Sequence, residues 1–261
     1  MKLKIAVLVK QVPDHEAMVQ VKSEQELKIE DRYVCSFFDE IAVEAALDIK
    51  KNHPDAELFA LSAGGKKSSD ALRRAIAMGI DQVIHLGDES LEASDSNYTA
   101  QVLAARLKIY QPDLVICGKQ AGDDDFAAVG PMVAEILDIP HISGAISLDI
   151  NPDLNRVKIG CEREGEIWYL ESGFPLLISA EKGLAEPHVP VVTRVMKAMK
   201  ANIQNIPLNE LELQGYKPQG RIHRIRYVEL PSRPEVIMMQ KPFPENISEL
   251  VNYLQEKGIL S

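Results

Sequence analysis

Basic residues are in short supply in this chain: 29 Lys and Arg against 39 Asp and Glu in 261 residues, a net charge of −10. A surface so acidic repels a phosphate backbone, which excludes general nucleic-acid binding. Aromatics make up 5% of the chain, too few for a base-stacking platform. Cysteine is scarcer still. Cys35, Cys117 and Cys161 are odd in number, far apart, and free of any CxxC or Cys/His spacing, which argues against disulfides and against zinc. No apolar run approaches the roughly 20 residues that span a bilayer, so direct membrane insertion is not expected. The opening Met-Lys-Leu-Lys-Ile lacks the apolar core and small-residue cleavage site of a secretory signal, and a cytoplasmic protein is expected.

Catalytic motifs are missing as well. The sequence holds no GxSxG, HExxH or P-loop, and no GxGxxG follows the first strand-like run. The six histidines (His15, His53, His85, His141, His188 and His223) show no ligand spacing. No catalytic residue and no metal site is expected. Ser62-Ala-Gly-Gly-Lys-Lys-Ser68 is a faint relative of the SGGxDS loop of ATP-splitting enzymes but lacks its Asp-Ser pair, and reads better as a strand-to-helix turn.

What is present is alternation. Short apolar, β-branched runs at 5–9, 57–61, 82–86 and 113–117 are separated by segments of helical period at 40–51, 69–78, 98–109 and 127–137. Continuous apolar strands between helices predict a mostly parallel, doubly wound α/β sheet with helices on both faces. In the first helix Glu40, Glu44 and Asp48 form one polar stripe, and nearly all else is aliphatic, so most of that helix is buried. After Pro140 the runs 146–150, 156–161, 167–171 and 176–179 are short and turn-bounded, and predict antiparallel strands added to the same sheet. Residues 1–183 then form one nucleotide-binding domain. Residues 184–204 read as an exposed partner-recognition loop and basic helix. Residues 205–261, heavy in proline, read as an extended arm that packs on a partner chain.

One stretch carries most of the functional signal: Gly118-Lys-Gln-Ala-Gly-Asp-Asp-Asp-Phe-Ala-Ala-Val-Gly130. It follows a buried strand and leads into a helix, at the carboxyl edge where open α/β sheets bind ligands. Gly118 and Gly122 permit close backbone approach, and the helix start offers unpaired amides to a phosphate. A well-capped βα loop without a ligand is the plainer alternative.

The run Leu114-Val-Ile-Cys-Gly-Lys-Gln-Ala-Gly-Asp-Asp-Asp125 closely resembles the nucleotide loop of electron transfer flavoprotein β subunits. So do Val7-Leu-Val-Lys-Gln-Val-Pro-Asp14, Phe38-Asp-Glu-Ile-Ala-Val-Glu-Ala-Ala46, Ala75-Ile-Ala-Met-Gly-Ile-Asp81, and Glu186-Pro-His188 with Met196-Lys-Ala198, in preserved order along nearly the whole chain. The resemblance implies a heterodimer whose α subunit holds most of an FAD. It implies electrons accepted from acyl-CoA or other dehydrogenases, as in fatty-acid β-oxidation, and passed to a quinone-linked oxidoreductase. It also implies a structural AMP in this chain, at Leu8, Ser36, Phe37, Phe38, Asp39, Ala63, Gly118, Lys119, Gln120, Ala121, Gly122, Asp123, Asp124, Asp125, Phe126, Ala127, Ala128 and Val129. His15 and Phe38 correspond to the β-side FAD contacts. The docking loop corresponds to 187–200, with Val192 as its apolar anchor and Arg194, Met196, Lys197 and Lys200 around it.

The chain departs from the family pattern in places. Ser36-Phe37 stands for the usual Asn-Pro, Ala63 for a frequent Cys, His15 for a common Tyr, and Val192 for Leu. Electron-bifurcating relatives bind a second FAD where others hold AMP, and typically show Asp-Gly-Asp-Thr in the loop and Ser-Asp-Thr before the third helix. Here the loop reads Asp123-Asp-Asp-Phe126, which favours AMP, while Ser94-Asp95-Ser96 is a partial match to the second motif. A stand-alone adenine-nucleotide module is a third reading, which the proline-rich arm disfavours. For the segment after Pro190, the alternative to docking is a helix with Val195, Met196 and Met199 packed inward.

Overall fold

The computed structural model describes residues 2–92, 94–213, 222, 225–233 and 235–260. The strands are β1 (Lys4–Leu8), β2 (Gln11–Pro13), β3 (Val19–Ser23), β4 (Glu26–Ile29), β5 (Tyr33–Cys35), β6 (Glu57–Gly64), β7 (Gln82–Gly87), β8 (Leu114–Gly118), β9 (His141–Asn151), β10 (Arg156–Arg163), β11 (Glu166–Ser172), β12 (Leu176–Ala180) and β13 (Gln204–Asn205). The helices are α1 (Phe37–Asn52), α2 (Ser69–Met78), α3 (Ser96–Tyr110), α4 (Val129–Leu137), α5 (Val192–Lys200) and α6 (Glu245–Glu256). Nine strands form one sheet in the order β11-β10-β9-β12-β8-β1-β6-β7-β13.

The alternation of side chains along the central strands explains why helices cover both faces. Ile5 and Val7 of β1, with Leu114 and Ile116 of β8, face a core closed by Ile41, Ala42 and Leu72 of α1 and α2. Ala6 and Leu8, with Val115 and Cys117, face a second core closed by Val102, Leu103 and Val133 of α3 and α4. β1 pairs parallel with β6 on one side and β8 on the other. The chain runs outward from β1 to β6 and β7, then returns to β8, so the winding reverses beside β1. That reversal is where an open α/β sheet leaves a crevice at its carboxyl edge.

The structure corrects two features of the sequence reading. Of the four late strands, β10 is antiparallel to both β9 and β11, but β12 lies parallel between β8 and β9. All five residues of β12 are buried, the pattern of an interior strand covered on both faces. The second concerns the boundary at 205. Gln204 and Asn205 join the sheet edge beside β7, and Ile206, Leu208 and Leu211 are buried in the α3/α4 core. The first residues of the segment read as an arm therefore belong to this chain's own core. Beyond them, 214–221, 223, 224, 234 and 261 lie outside the described residues, and α6 buries no side chain. Among the described residues no helix is long and apolar enough to cross a membrane.

Candidate functional site

The carboxyl ends of β1 and β8 are joined by a single side chain. Asp39, in the first turn of α1, accepts a hydrogen bond from the Lys10 amide on one oxygen and from the Gly118 amide on the other, both at 2.8 Å. Its carboxyl is buried, and burial pushes its pKa up to about 7 against the pull of those two amides. Gly118 is needed for this closeness. A Cβ there would lie 2.5 Å from Asp39 Oδ1, 2.8 Å from Phe38 Cβ and 2.9 Å from the Asp39 nitrogen.

Above this junction opens a cavity of about 770 Å³, within the usual size of small-molecule sites. Leu8 and Lys10 come from the end of β1, Leu61 and Ala63 from β6, and Cys117 and Gly118 from β8. The following loop supplies Lys119, Gln120, Ala121, Asp123, Asp124, Phe126, Ala127 and Ala128, and α4 supplies Val129 and Gly130. Lys10 bridges the carboxylates of Asp123 and Asp124 at 2.7 and 3.0 Å. Burial pulls the Lys10 ammonium down, and the two carboxylates more than offset it, so its pKa stands above the ordinary value. Lys119 pairs with Glu181, whose carboxyl is raised by burial and lowered further by Lys119, to a net position below normal. The thiol of Cys117 is pushed up to about 12 by burial and is inert.

Both lining lysines are thus engaged by carboxylates, and an anion would meet backbone. The amides of Ala127 and Ala128 find no acceptor among the described residues, and the first turn of α4 adds those of Val129 and Gly130. Asp125 and Ala127 both take positive φ, 51° each. That is costly for an alanine, and it is the kind of strain that collects at ligand loops. At the other rim Ser94, Asp95, Ser96 and Thr99 line the cavity where α3 begins, with Asp95 capping the Tyr98 amide at 2.9 Å.

Most of the residues singled out for AMP are brought together here, but five are not. Ser36, Phe37, Phe38, Gly122 and Asp125 do not line the cavity. Ser36 is buried with its hydroxyl unpartnered, and a Cβ on Gly122 would meet nothing within 4 Å. The two FAD positions also lie outside. The His15 side chain is 90% exposed beside Asp14, and Phe38 is half-buried with its ring against Phe37. Sequence reasoning missed the β3–β4 hairpin, whose Leu27 and Ile29 line the cavity together with Pro13, Ile222 and Tyr227. The alternation in Glu26-Leu-Lys-Ile29 was the available signal.

The segment 187–200 is held by polar clamps and turns its apolar side out. His188 Nδ1 lies 2.5 Å from Glu44 Oε2, so part of the α1 stripe is buried under this loop. Arg73 of α2 donates to the Ala198, Met199 and Ala201 carbonyls at the end of α5 (2.9, 3.0 and 3.1 Å). Arg194 of α5 in turn donates to the Met78 carbonyl at the end of α2 (3.1 Å). Each helix thus caps the other's carboxyl end with a cation. Ala198 alone of α5 is buried, while Val192, Met196 and Met199 are 73, 54 and 69% exposed. The inward-packed alternative is not what the fold adopts.

Comparison with known proteins agrees with this architecture. The electron transfer flavoprotein domain matches residues 28–211. The chain is similar to the electron transfer flavoprotein subunit beta of Megasphaera elsdenii, 32% identical over 98% of this chain and 97% of that one. The Bacillus subtilis subunit beta is 29% identical over 98% and 99%. That of Dictyostelium discoideum is 35% identical over 78% and 81%.

Proposed function

The chain belongs to the electron transfer flavoprotein family as a β subunit, and on that premise we propose that it works as half of a two-chain electron carrier whose FAD is held mainly by an α subunit, while its own cavity holds a structural AMP. The observation that carries the AMP reading is the cavity at the winding reversal, with amides at Ala127 and Ala128 that find no acceptor among the described residues, beside two carboxylates bridged by Lys10. A phosphate is met there by backbone dipoles rather than by a free cation. The FAD reading is supported by what surrounds His15 and Phe38. Both lie outside the cavity, and an isoalloxazine needs an enclosing cleft that a partner would complete. What the chain carries when purified tests this reading: AMP, and no FAD of its own.

A second reading has one observation in its favour. Ser94, Asp95, Ser96 and Thr99 give the same cavity a second helix start, which a pyrophosphate would use, and this supports a second FAD and a bifurcating complex. The loop Asp123-Asp-Asp-Phe126, with no hydroxyl among its side chains, favours AMP.

In this proposal electrons come from acyl-CoA or other dehydrogenases and leave to a quinone-linked acceptor, and α5 is where the donors dock. Val192, Met196 and Met199 form the apolar anchor. Lys197 and Lys200 supply positive charge on an acidic chain, which suits a fast, electrostatically steered encounter. Arg194 serves by capping α2. Val192→Ala is expected to raise the KM for a donor dehydrogenase while stability shifts by no more than about 0.5 kcal/mol, the usual range for exposed sites. Loss of stability with unchanged donor kinetics is the outcome that rejects docking at α5.

A further inference from the structure

The cavity has two kinds of wall. The sheet ends and the loop after β8 supply lysines, carboxylates and amides, above apolar side chains such as Leu8, Leu61 and Leu103. A group of apolar side chains comes from segments outside the main sheet: Pro13 of β2, Leu27 and Ile29 of β4, Ile222, and the ring of Tyr227. Leu27 and Ile29 are two apart on one strand, so they share a face, and that face is turned to the cavity.

The hairpin and the C-terminal segment hold each other. The Tyr227 amide donates to the Glu24 carbonyl at 2.8 Å, and Gln25 Nε2 donates to the Ile225 carbonyl at 3.2 Å. The Arg226 guanidinium lies 3.8 Å from the Glu24 carboxylate. All three contacts fall at the turn between β3 and β4. A lone two-stranded hairpin is marginal in water, and these contacts from about 200 residues away give it a third element to rest on.

We propose that the chain's own C-terminal segment completes the nucleotide site. Ile222 and Tyr227, seated on the β3–β4 hairpin, form with Pro13, Leu27 and Ile29 an apolar wall that packs on the base of the bound nucleotide and closes its exit. This rests on the reading of the cavity as a mononucleotide site. The division of labour follows from the chemistry of the two walls: amides and helix dipole take the phosphate, and the apolar wall takes the heterocycle. Release then requires the segment to lift from the hairpin, which makes escape slow.

The test uses the full-length chain assembled with its α subunit and loaded with radiolabelled AMP, chased with excess unlabelled AMP. Tyr227→Ala is expected to release AMP at least tenfold faster and to raise its Kd in step. The affinity for ribose 5-phosphate, which lacks the base, stays unchanged, and so does the flavin spectrum. Leu27→Ser, on the hairpin side of the same wall, is expected to act alike without touching the C-terminal segment. Release at the wild-type rate in both variants overturns the proposal. So does an equal loss of AMP and ribose 5-phosphate binding, which marks damage to the fold. A wild-type complex that holds no AMP at all removes the nucleotide reading itself, and this proposal with it.

Discussion

Asp39→Ala is expected to cost about 2–6 kcal/mol of folding stability, because it leaves two half-buried amides, those of Lys10 and Gly118, without an acceptor at about 1–3 kcal/mol each. Few single changes in this chain should cost more, since the same carboxylate ties the first strand, the first helix and the loop after β8 together. Asp39→Asn keeps one acceptor and the volume, and should cost less. Its comparison with the wild type also reads the titration of the carboxyl. With a pKa near 7 in the fold against 3.8 in the open chain, folded Asp39 holds a proton that the unfolded chain has already lost between those values. The folded state binds the extra proton, so this group's contribution to stability is full below about pH 4 and declines as pH rises toward 7. Asparagine does not titrate. Chemical unfolding at pH 5 and at pH 8 should therefore show the advantage of wild type over Asp39→Asn shrinking at the higher pH. An advantage that is equal at the two pH values, or larger at pH 8, contradicts this account.

The second large effect is expected at Gly118. A methyl there meets the Asp39 carboxylate, its backbone nitrogen and Phe38 Cβ, all under 3.0 Å, and Asp39 is pinned by its two amides and unable to yield freely. Overpacking of this kind costs about 1–3 kcal/mol. Pushing Asp39 off the Gly118 amide adds a lost buried hydrogen bond of about 1–3 kcal/mol. Gly118→Ala should thus lose about 2–6 kcal/mol, and its cost should shrink in an Asp39→Ala background, because the two residues share one contact. Gly122→Ala is the control. Its methyl enters open space, and stability should move by no more than about 0.5 kcal/mol. Melting curves of the three variants check this, and an equal loss at Gly118 and Gly122 would be inconsistent with the geometry.

The contrast between those two glycines shows how far the sequence could be read. Both stand in one loop, and the sequence treats them alike. What separates them is Asp39, which approaches from 79 residues away, a fact of tertiary packing with no local signal. The parallel sheet was legible because each central strand is an apolar run and the segments between those strands have helical period. The placement of β12 was not, since five consecutive buried residues read the same in a parallel or an antiparallel setting. The loop from Gly118 to Val129 was legible from its glycines and its place after a buried strand. The apolar wall escaped notice because its parts, Leu27, Ile29, Ile222 and Tyr227, are scattered over nearly 200 positions and none is unusual alone. The outward-facing α5 was foreshadowed by its basic, amphipathic pattern. That pattern leaves open which side faces in, and the caps from Arg73 and Arg194 decide it.

The central claim is that this chain holds a mononucleotide of its own and only shares a flavin. The most direct measurement is to denature the purified chain, alone and in complex with its α subunit, and to identify and count the small molecules released. The account predicts one AMP and no FAD from the chain alone, and one AMP with one FAD from the two-chain complex. FAD released stoichiometrically from the chain alone, or two FAD and no AMP from the complex, would contradict it.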